Sequence, residues 1–224
     1  MMILLILAAL LWIGVHIGIS GTRLRGVVVG MLGERRFMLA YSVFSFVSIF
    51  LLIMAWRRTD TTVLWTAGPE LRWLLAALML PAFILFMASH KRNPTAVGNK
   101  GLGEEPRGIQ RVTRHPMLWS FGLWAVIHII GNGDTASLVF FGAFALTAFA
   151  GMPSIDAKLA ERHPEAWPGF AAKTSILPFA AIAAGRNQLA MKEIGLMPPL
   201  VGLLLWAALL HFHRTFFGMP ALIF

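Results

Sequence analysis

The sequence predicts an all-α fold, a polytopic transmembrane helix bundle, and three observations carry that prediction. Of the 224 residues, 58% are hydrophobic and only 13% are charged, about half the charged share of an average soluble domain. Several apolar runs approach the ~20 residues that a helix needs to cross the hydrocarbon of a bilayer. The cations fall in alternate loops, as the positive-inside bias of membrane proteins requires. The whole chain, 1–224, reads as one transmembrane domain of about six spans, with five as the alternative count.

Residues 2–19 form the first apolar run. It has neither a basic start nor an Ala-x-Ala cleavage signal, so it reads as a retained helix rather than a signal peptide. Gly14 and Gly18 make a small-xxx-small pair that would admit a second helix at close range. His16 lies between them, one turn after Trp12. Arg23, Arg25, Arg35 and Arg36 fill the next loop. Residues 37–56 are the second span, closed by Trp56-Arg57-Arg58, and residues 71–89 are the third, ending at His90-Lys91-Arg92. The polar loop 93–110 carries Gly98, Gly101, Gly103 and Gly108. Its Gly-Leu-Gly is no dinucleotide fingerprint, because no strand precedes it and the third glycine is misplaced.

Pro116 opens the fourth span, residues 116–130, at a position where a missing N–H costs nothing. Gly131-Asn132-Gly133-Asp134 reads as a tight turn into a fifth span over residues 135–152. Segment 153–188 is polar, then apolar but broken by Pro178. It is expected at the cytoplasmic interface, or re-entrant against the bundle. Pro198-Pro199 opens the last span, which reaches about residue 212. With the N-terminus outside, the inner loops hold four Lys and Arg (Arg23 to Arg36), six (Lys91 to Arg114) and five (Lys158 to Lys192). Only Arg57, Arg58, Arg72 and Arg214 lie outside. Both termini are therefore expected on the non-cytoplasmic side.

Composition also excludes functions. The net charge of +9 belongs to cytoplasmic loops facing anionic lipid; no soluble basic domain exists to bind nucleic acid. The chain has no cysteine, which removes disulfides, thiolate metal sites and a Cys haem ligand. There is no His-Glu-x-x-His sequence, and the spans lack acidic residues apart from Asp134 at a turn and Asp156 just past the fifth. Histidine is then the abundant candidate ligand.

His16 and His128 are embedded in apolar sequence, where an ionisable group is costly and marks a functional site by default. The plainer alternative for each is a neutral ring bonded to a backbone carbonyl. His90 and His115, beside Lys91, Arg92 and Arg114, read as interfacial histidines. His211 and His213 read as capping an exit beside Arg214, and His163 as an ordinary cytoplasmic residue. Two isolated histidines on different helices, without carboxylates or thiolates, fit haem iron held between imidazoles. Arg23, Arg25 and Arg114 are placed to pair with its propionates at the inner surface.

The run Gly108-Ile109-Gln110-Arg111-Val112-Thr113-Arg114-His115-Pro116-Met117-Leu118-Trp119, then Trp124-Ala125-Val126-Ile127-His128 and Asn132-Gly133-Asp134, resembles the NnrU family of membrane proteins. So do Lys173-Thr174-Ser175-Ile176-Leu177-Pro178-Phe179-Ala180-Ala181-Ile182 with Gly185-Arg186, and His16-x-Gly18-x-Ser20 with Leu24-Arg25 in the first helix. Members occur in denitrifying bacteria, and the family is similar to the cis-zeta-carotene isomerases, membrane enzymes with haem b. The resemblance implies a bacterial inner (cell) membrane protein with periplasmic termini, a haem b cofactor, and haem-ligand histidines at His16 and His128. His115 is a second-tier ligand or propionate residue. Ala125 stands where some carotene isomerases have a cysteine, so ligand exchange through cysteine is excluded.

The implied activity is cis–trans isomerisation of a lipid-soluble polyene at haem iron. The alternative is a haem sensor or redox accessory in denitrification and nitric oxide metabolism, with a redox partner. A fainter likeness, in Arg114-His115-Pro116 and Glu165-x-Trp167-x-x-Phe170, is to S-adenosylmethionine-dependent membrane methyltransferases. Ile155-Asp156 replaces their Glu-Glu pair, and Tyr41 is the sole tyrosine.

Overall fold

The structure, a computed structural model, describes residues 1–22, 24–90, 93–95 and 101–222. Of the residues named above, Arg23, Lys91, Arg92 and Gly98 lie outside these. Among the described residues the chain is helical, with one isolated antiparallel bridge between Val63 and Asp134. Four helices among the described residues are long and apolar enough to cross a membrane: Met2–Ile19, Glu34–Arg57, Pro69–Ala88 and Thr135–Arg162. Two of the expected spans are shorter, Pro116–Asn132 with 17 residues and Met197–His211 with 15, or roughly 25 and 22 Å of helix. Side chains such as Phe46, 75% exposed, and Leu39, 68% exposed, show apolar faces turned outward, as a bilayer solvent demands.

The chain forms two compact units. The first comprises Met1–Ala67 and Ala125–Ser154. Its helix α1 (Met2–Ile13) continues as a π-helical stretch, Gly14–Ile19. Then come α2 (Leu24–Leu32) and α3 (Glu34–Arg57), with Glu34 in the first turn and Arg57 in the last, each at the dipole end that favours its charge. α1 packs on α3, and Leu5 and Leu52 are fully buried. A Cβ at Gly14 or Gly18 would meet nothing within 4 Å. The close helix approach expected at that pair is therefore not made among the described residues.

The expected turn before the fifth span is present and braced. Asp134 accepts the Ser137 N–H at 2.8 Å and the Thr61 hydroxyl at 2.5 Å, capping the start of Thr135–Arg162. Gly133 sits at φ 67 with the Trp65 carbonyl oxygen 2.1 Å from where a Cβ would stand, so only glycine fits.

The second unit comprises Gly68–Trp124 and Ile155–Phe224. It contains α4 (Pro69–Ala88), the short α5 (Ile109–Val112) and the start of α6 (Pro116–Asn132). The end of α7 (Thr135–Arg162) also belongs to it, followed by α8 (Trp167–Lys173), α9 (Ala180–Ala183) and α10 (Met191–Ile194). The chain closes with α11 (Met197–His211) and α12 (His213–Phe217). α11 runs antiparallel along α4: a Cβ on Gly202 would lie 3.1 Å from the Ile84 backbone, and the Trp206 indole donates to the Ala76 carbonyl at 2.7 Å.

Segment 153–188 departs from its expected start. Pro153 lies inside α7, which runs on to Arg162. A proline removes one helical hydrogen bond and strains its own turn, but the helix need not end there. This places Asp156 on a rigid helix instead of in a loop. Beyond it, α8 and α9 are too short to span. Val112 to Trp119 bind the intervening strand of chain: Phe179 N–H to the Val112 carbonyl at 2.8 Å, and the Thr113 hydroxyl and Trp119 indole to the Ile176 carbonyl at 2.7 and 2.8 Å.

Candidate functional site

His16 lies in the π-helical stretch of the first unit, half-buried. Such stretches recur at functional positions because the widened turn re-aims a side chain. Its Nδ1 is 2.8 Å from the Trp12 carbonyl oxygen. A carbonyl only accepts, so Nδ1 carries the proton and Nε2 is a bare lone pair. That lone pair meets the Ser45 hydroxyl at 3.0 Å, which therefore donates to it. The ring is gripped by Trp12, with centroids 3.8 Å apart, and faced edge-on by Tyr41 at 5.8 Å.

This is the bland arrangement anticipated for a buried histidine, with one addition. A metal-binding imidazole needs the same tautomer: one nitrogen held by a backbone acceptor, the other unprotonated. Beside it the Trp12 indole N–H is buried without an acceptor among the described residues. Buried indole N–H groups normally find one.

His128 belongs to the same unit and lies flat on Phe141, with centroids 4.7 Å apart and planes 19° from parallel. From Phe141 the ring contacts continue through Phe140 at 5.0 Å and Phe144 at 5.3 Å to Trp12 at 4.8 Å. The two expected ligand histidines therefore stand at the ends of one aromatic array inside a single unit. Two imidazoles in an aromatic setting are donors of the type that holds haem iron, and along this path four aromatic rings stand between them. No group of three or more His, Cys, Asp or Glu placed to hold a metal ion occurs among the described residues.

The second unit holds a different cluster. His115 has a fully enclosed side chain, and its Nε2–H donates to Asp156 Oδ1 at 2.8 Å. Arg114 binds the other oxygen, Oδ2, through Nε at 2.9 Å and a terminal nitrogen at 2.6 Å. The guanidinium also lies 5.5 Å from the centroid of the Trp167 ring. One carboxylate thus serves both residues, while His115 Nδ1 is buried with no partner among the described residues.

The other sequence candidates are occupied by plain contacts. Arg25 pairs with Glu34 and lies over the Phe37 ring. His90 bonds to the Phe86 carbonyl and His213 to the Met219 carbonyl. His211 is exposed, edge-on to Phe212. Two participants were not singled out from sequence. Ser45 is one of several serines in the second span, and only its place opposite His16 distinguishes it. Asp156 had a signal, as the first acid after a long uncharged run.

Comparison with known proteins adds a lineage. The model for "NnrU protein" matches residues 4–221. The chain is similar to the 15-cis-zeta-carotene isomerase, chloroplastic, of Zea mays, 26% identical over 195 residues that make up 84% of this chain and 52% of the maize protein. It is also similar to the Arabidopsis thaliana protein of the same name, 37% identical over 83 residues, 37% of this chain and 22% of that protein. The chain thus spans about half the length of the maize relative. No solved structure matches.

Proposed function

Because the chain belongs to the NnrU family, and relatives carry the name 15-cis-zeta-carotene isomerase, we propose that it is an integral membrane isomerase acting on a lipid-soluble polyene. In this reading His16 and His128 hold haem b. The observation that carries it is the tautomer of His16, whose proton is fixed on Nδ1 by the Trp12 carbonyl so that Nε2 presents its lone pair. Bound haem would supply an iron centre able to polarise, or exchange an electron with, a conjugated double bond.

The chain's own residues do the rest. The Trp12 carbonyl orients the imidazole and raises its basicity. The Ser45 hydroxyl holds the Nε2 position and turns aside for a ligand. Phe140, Phe141 and Phe144 keep water out and offer flat apolar surfaces to a flat apolar substrate. The charge bias of the loops favours both termini on the periplasmic side of a bacterial inner membrane.

The test is an absorption spectrum of the detergent-purified protein after haem-replete expression, followed by reduction and incubation with cis-zeta-carotene. A Soret band altered by both His16→Ala and His128→Ala, with conversion detected by chromatography, is the expected result. A folded protein without a Soret band would reject the haem. A haem spectrum with no conversion would favour the sensor or redox accessory role instead.

A further inference from the structure

We propose that the second unit binds an anionic phospholipid in the cavity where α4 ends and α11 begins. The cavity measures about 350 Å³ and is lined by Ala88, Arg107, Gly108, Ile109, Glu193, Ile194 and Pro198. That volume is at the lower end of pockets that take small ligands.

Its depth in the membrane follows from the helices that frame it. α4 and α11 are antiparallel apolar helices, matched at Ile84 with Gly202 and at Ala76 with Trp206. The C-terminal end of one therefore meets the N-terminal end of the other, at Ala88 and Pro198. Beyond that level the lining becomes polar, as it does where hydrocarbon gives way to headgroups.

Of the two charged residues among those that line the cavity, Glu193 is closely paired and Arg107 is not. Glu193 is fully engaged: Arg111 binds both its oxygens at 2.9 and 3.1 Å, and the Gly108 N–H donates to it at 2.8 Å. Gly108 has φ +58, and a Cβ there would come within 3.2 Å of the Glu193 carbonyl oxygen, so the two segments meet backbone to backbone. Glu105 is paired with Lys173. The Arg107 guanidinium, exposed at the rim, helps from a distance to hold the Glu193 carboxyl below its ordinary value but makes no ion pair within 4.0 Å among the described residues.

An exposed arginine with no close ion pair above apolar walls, at headgroup depth, matches a phosphodiester joined to acyl chains. Basic pockets between spans on the cytoplasmic side bind such headgroups. Arg107 meets the phosphate, and Ala88, Ile109, Ile194 and Pro198 flank the first carbons of a chain. The site stands apart from the haem reading and would survive its failure.

Native mass spectrometry of the intact chain in detergent tests the proposal, with dioleoylphosphatidylglycerol and dioleoylphosphatidylcholine as probes. The wild-type chain is expected to retain the anionic lipid about fivefold more tightly. Arg107→Gln should abolish that preference, whereas Arg36→Gln, an exposed arginine of the first unit, should not. An unchanged preference in Arg107→Gln overturns the site. Ile194→Trp fills the cavity without changing charge; if this variant is folded and still retains the lipid selectively, the site is also overturned. Arg107, being exposed, keeps the test decisive if that variant does not fold. Competition by inorganic phosphate or glycerol 3-phosphate at similar concentration would reassign the site to a soluble phosphate compound and reject the lipid.

Discussion

His16 and His115 are both histidines at the ends of apolar segments, but their surroundings assign them opposite work. His115 is sealed off, and its Nε2–H is spent on a carboxylate that also holds a guanidinium. Opening that cluster would leave an ion uncompensated in a dry setting. His16 is half-buried, and its Nε2 meets a single neutral hydroxyl. Giving up such a bond costs about 1 kcal/mol, an amount that an iron–nitrogen bond readily offsets. On the proposed haem reading, an available lone pair would mark a ligand better than burial does.

The largest effect should come from the sealed cluster. Asp156→Ala leaves Arg114 without its counter-ion and His115 without its acceptor, and is expected to destabilise the fold by about 3–5 kcal/mol. The check is unfolding in mixed micelles. Replacing both charges together, with Asp156→Leu and Arg114→Met, should recover part of the loss, because no unpaired ion then remains. A cost below about 1 kcal/mol for Asp156→Ala would mean that the cluster is solvated and that the contrast with His16 fails.

His16→Ala should reverse the pattern. It removes two neutral hydrogen bonds and a ring tilted against Trp12, a loss of about 2–3 kcal/mol. It should nevertheless abolish or shift the haem spectrum. His115→Gln, by contrast, should leave the spectrum of any folded protein in place. If His115→Gln shifted the Soret band and His16→Ala did not, the roles assigned to the two sites would be exchanged.

The legibility of these sites in the sequence follows the range of the interactions. The spans are read easily, because hydropathy along a helix is local. The Trp12–His16 ring contact is also local, an i, i+4 pair on one helix face. The partners of His115 are not, since Asp156 lies 41 residues away. Ending the fifth span at Met152 also leaves Asp156 past the helix, in a polar segment, and so apart from His115. The helix in fact carries it onward to Ser154, whose hydroxyl bonds the Gly21 carbonyl, and to Asp156. Ser45 was unreadable for another reason: serines at 42, 45 and 48 share the same apolar span, and only the packing of α1 on α3 selects one.

A smaller effect belongs to the turn of the first unit. Burial alone would raise the Asp134 carboxyl, but hydrogen bonds from Thr61 and from Ser137 outweigh it and hold the group below its ordinary 3.8. A depressed folded value means that the unfolded chain takes up the proton more readily. The contribution is therefore fully present above about pH 4 and is lost as pH falls through the lower, folded value. Asp134→Ala should cost about 1 kcal/mol at neutral pH. Unfolding midpoints between pH 6 and pH 3 should show a larger acid loss in the wild-type chain than in Asp134→Asn, in which Glu193, held below its ordinary value by Arg111, still titrates. Parallel acid profiles for the two would remove Asp134 as its source.

Ser45→Ala is the smallest perturbation and the most direct probe of the comparison. It deletes the hydroxyl that meets His16 Nε2 while leaving the Nδ1 bond to Trp12 intact. Without haem the change should cost about 1 kcal/mol or less, because a half-buried lone pair left bare can find water. If His16 holds haem as proposed, the serine would already be displaced, so the Soret position should not move, and haem affinity should rise slightly since no hydrogen bond would have to be broken first. Titrating haem into the wild-type and Ser45→Ala apoproteins measures the difference. A fall in affinity would mean that the hydroxyl supports the bound state, and that His16 meets the iron through a geometry other than the lone pair now facing Ser45.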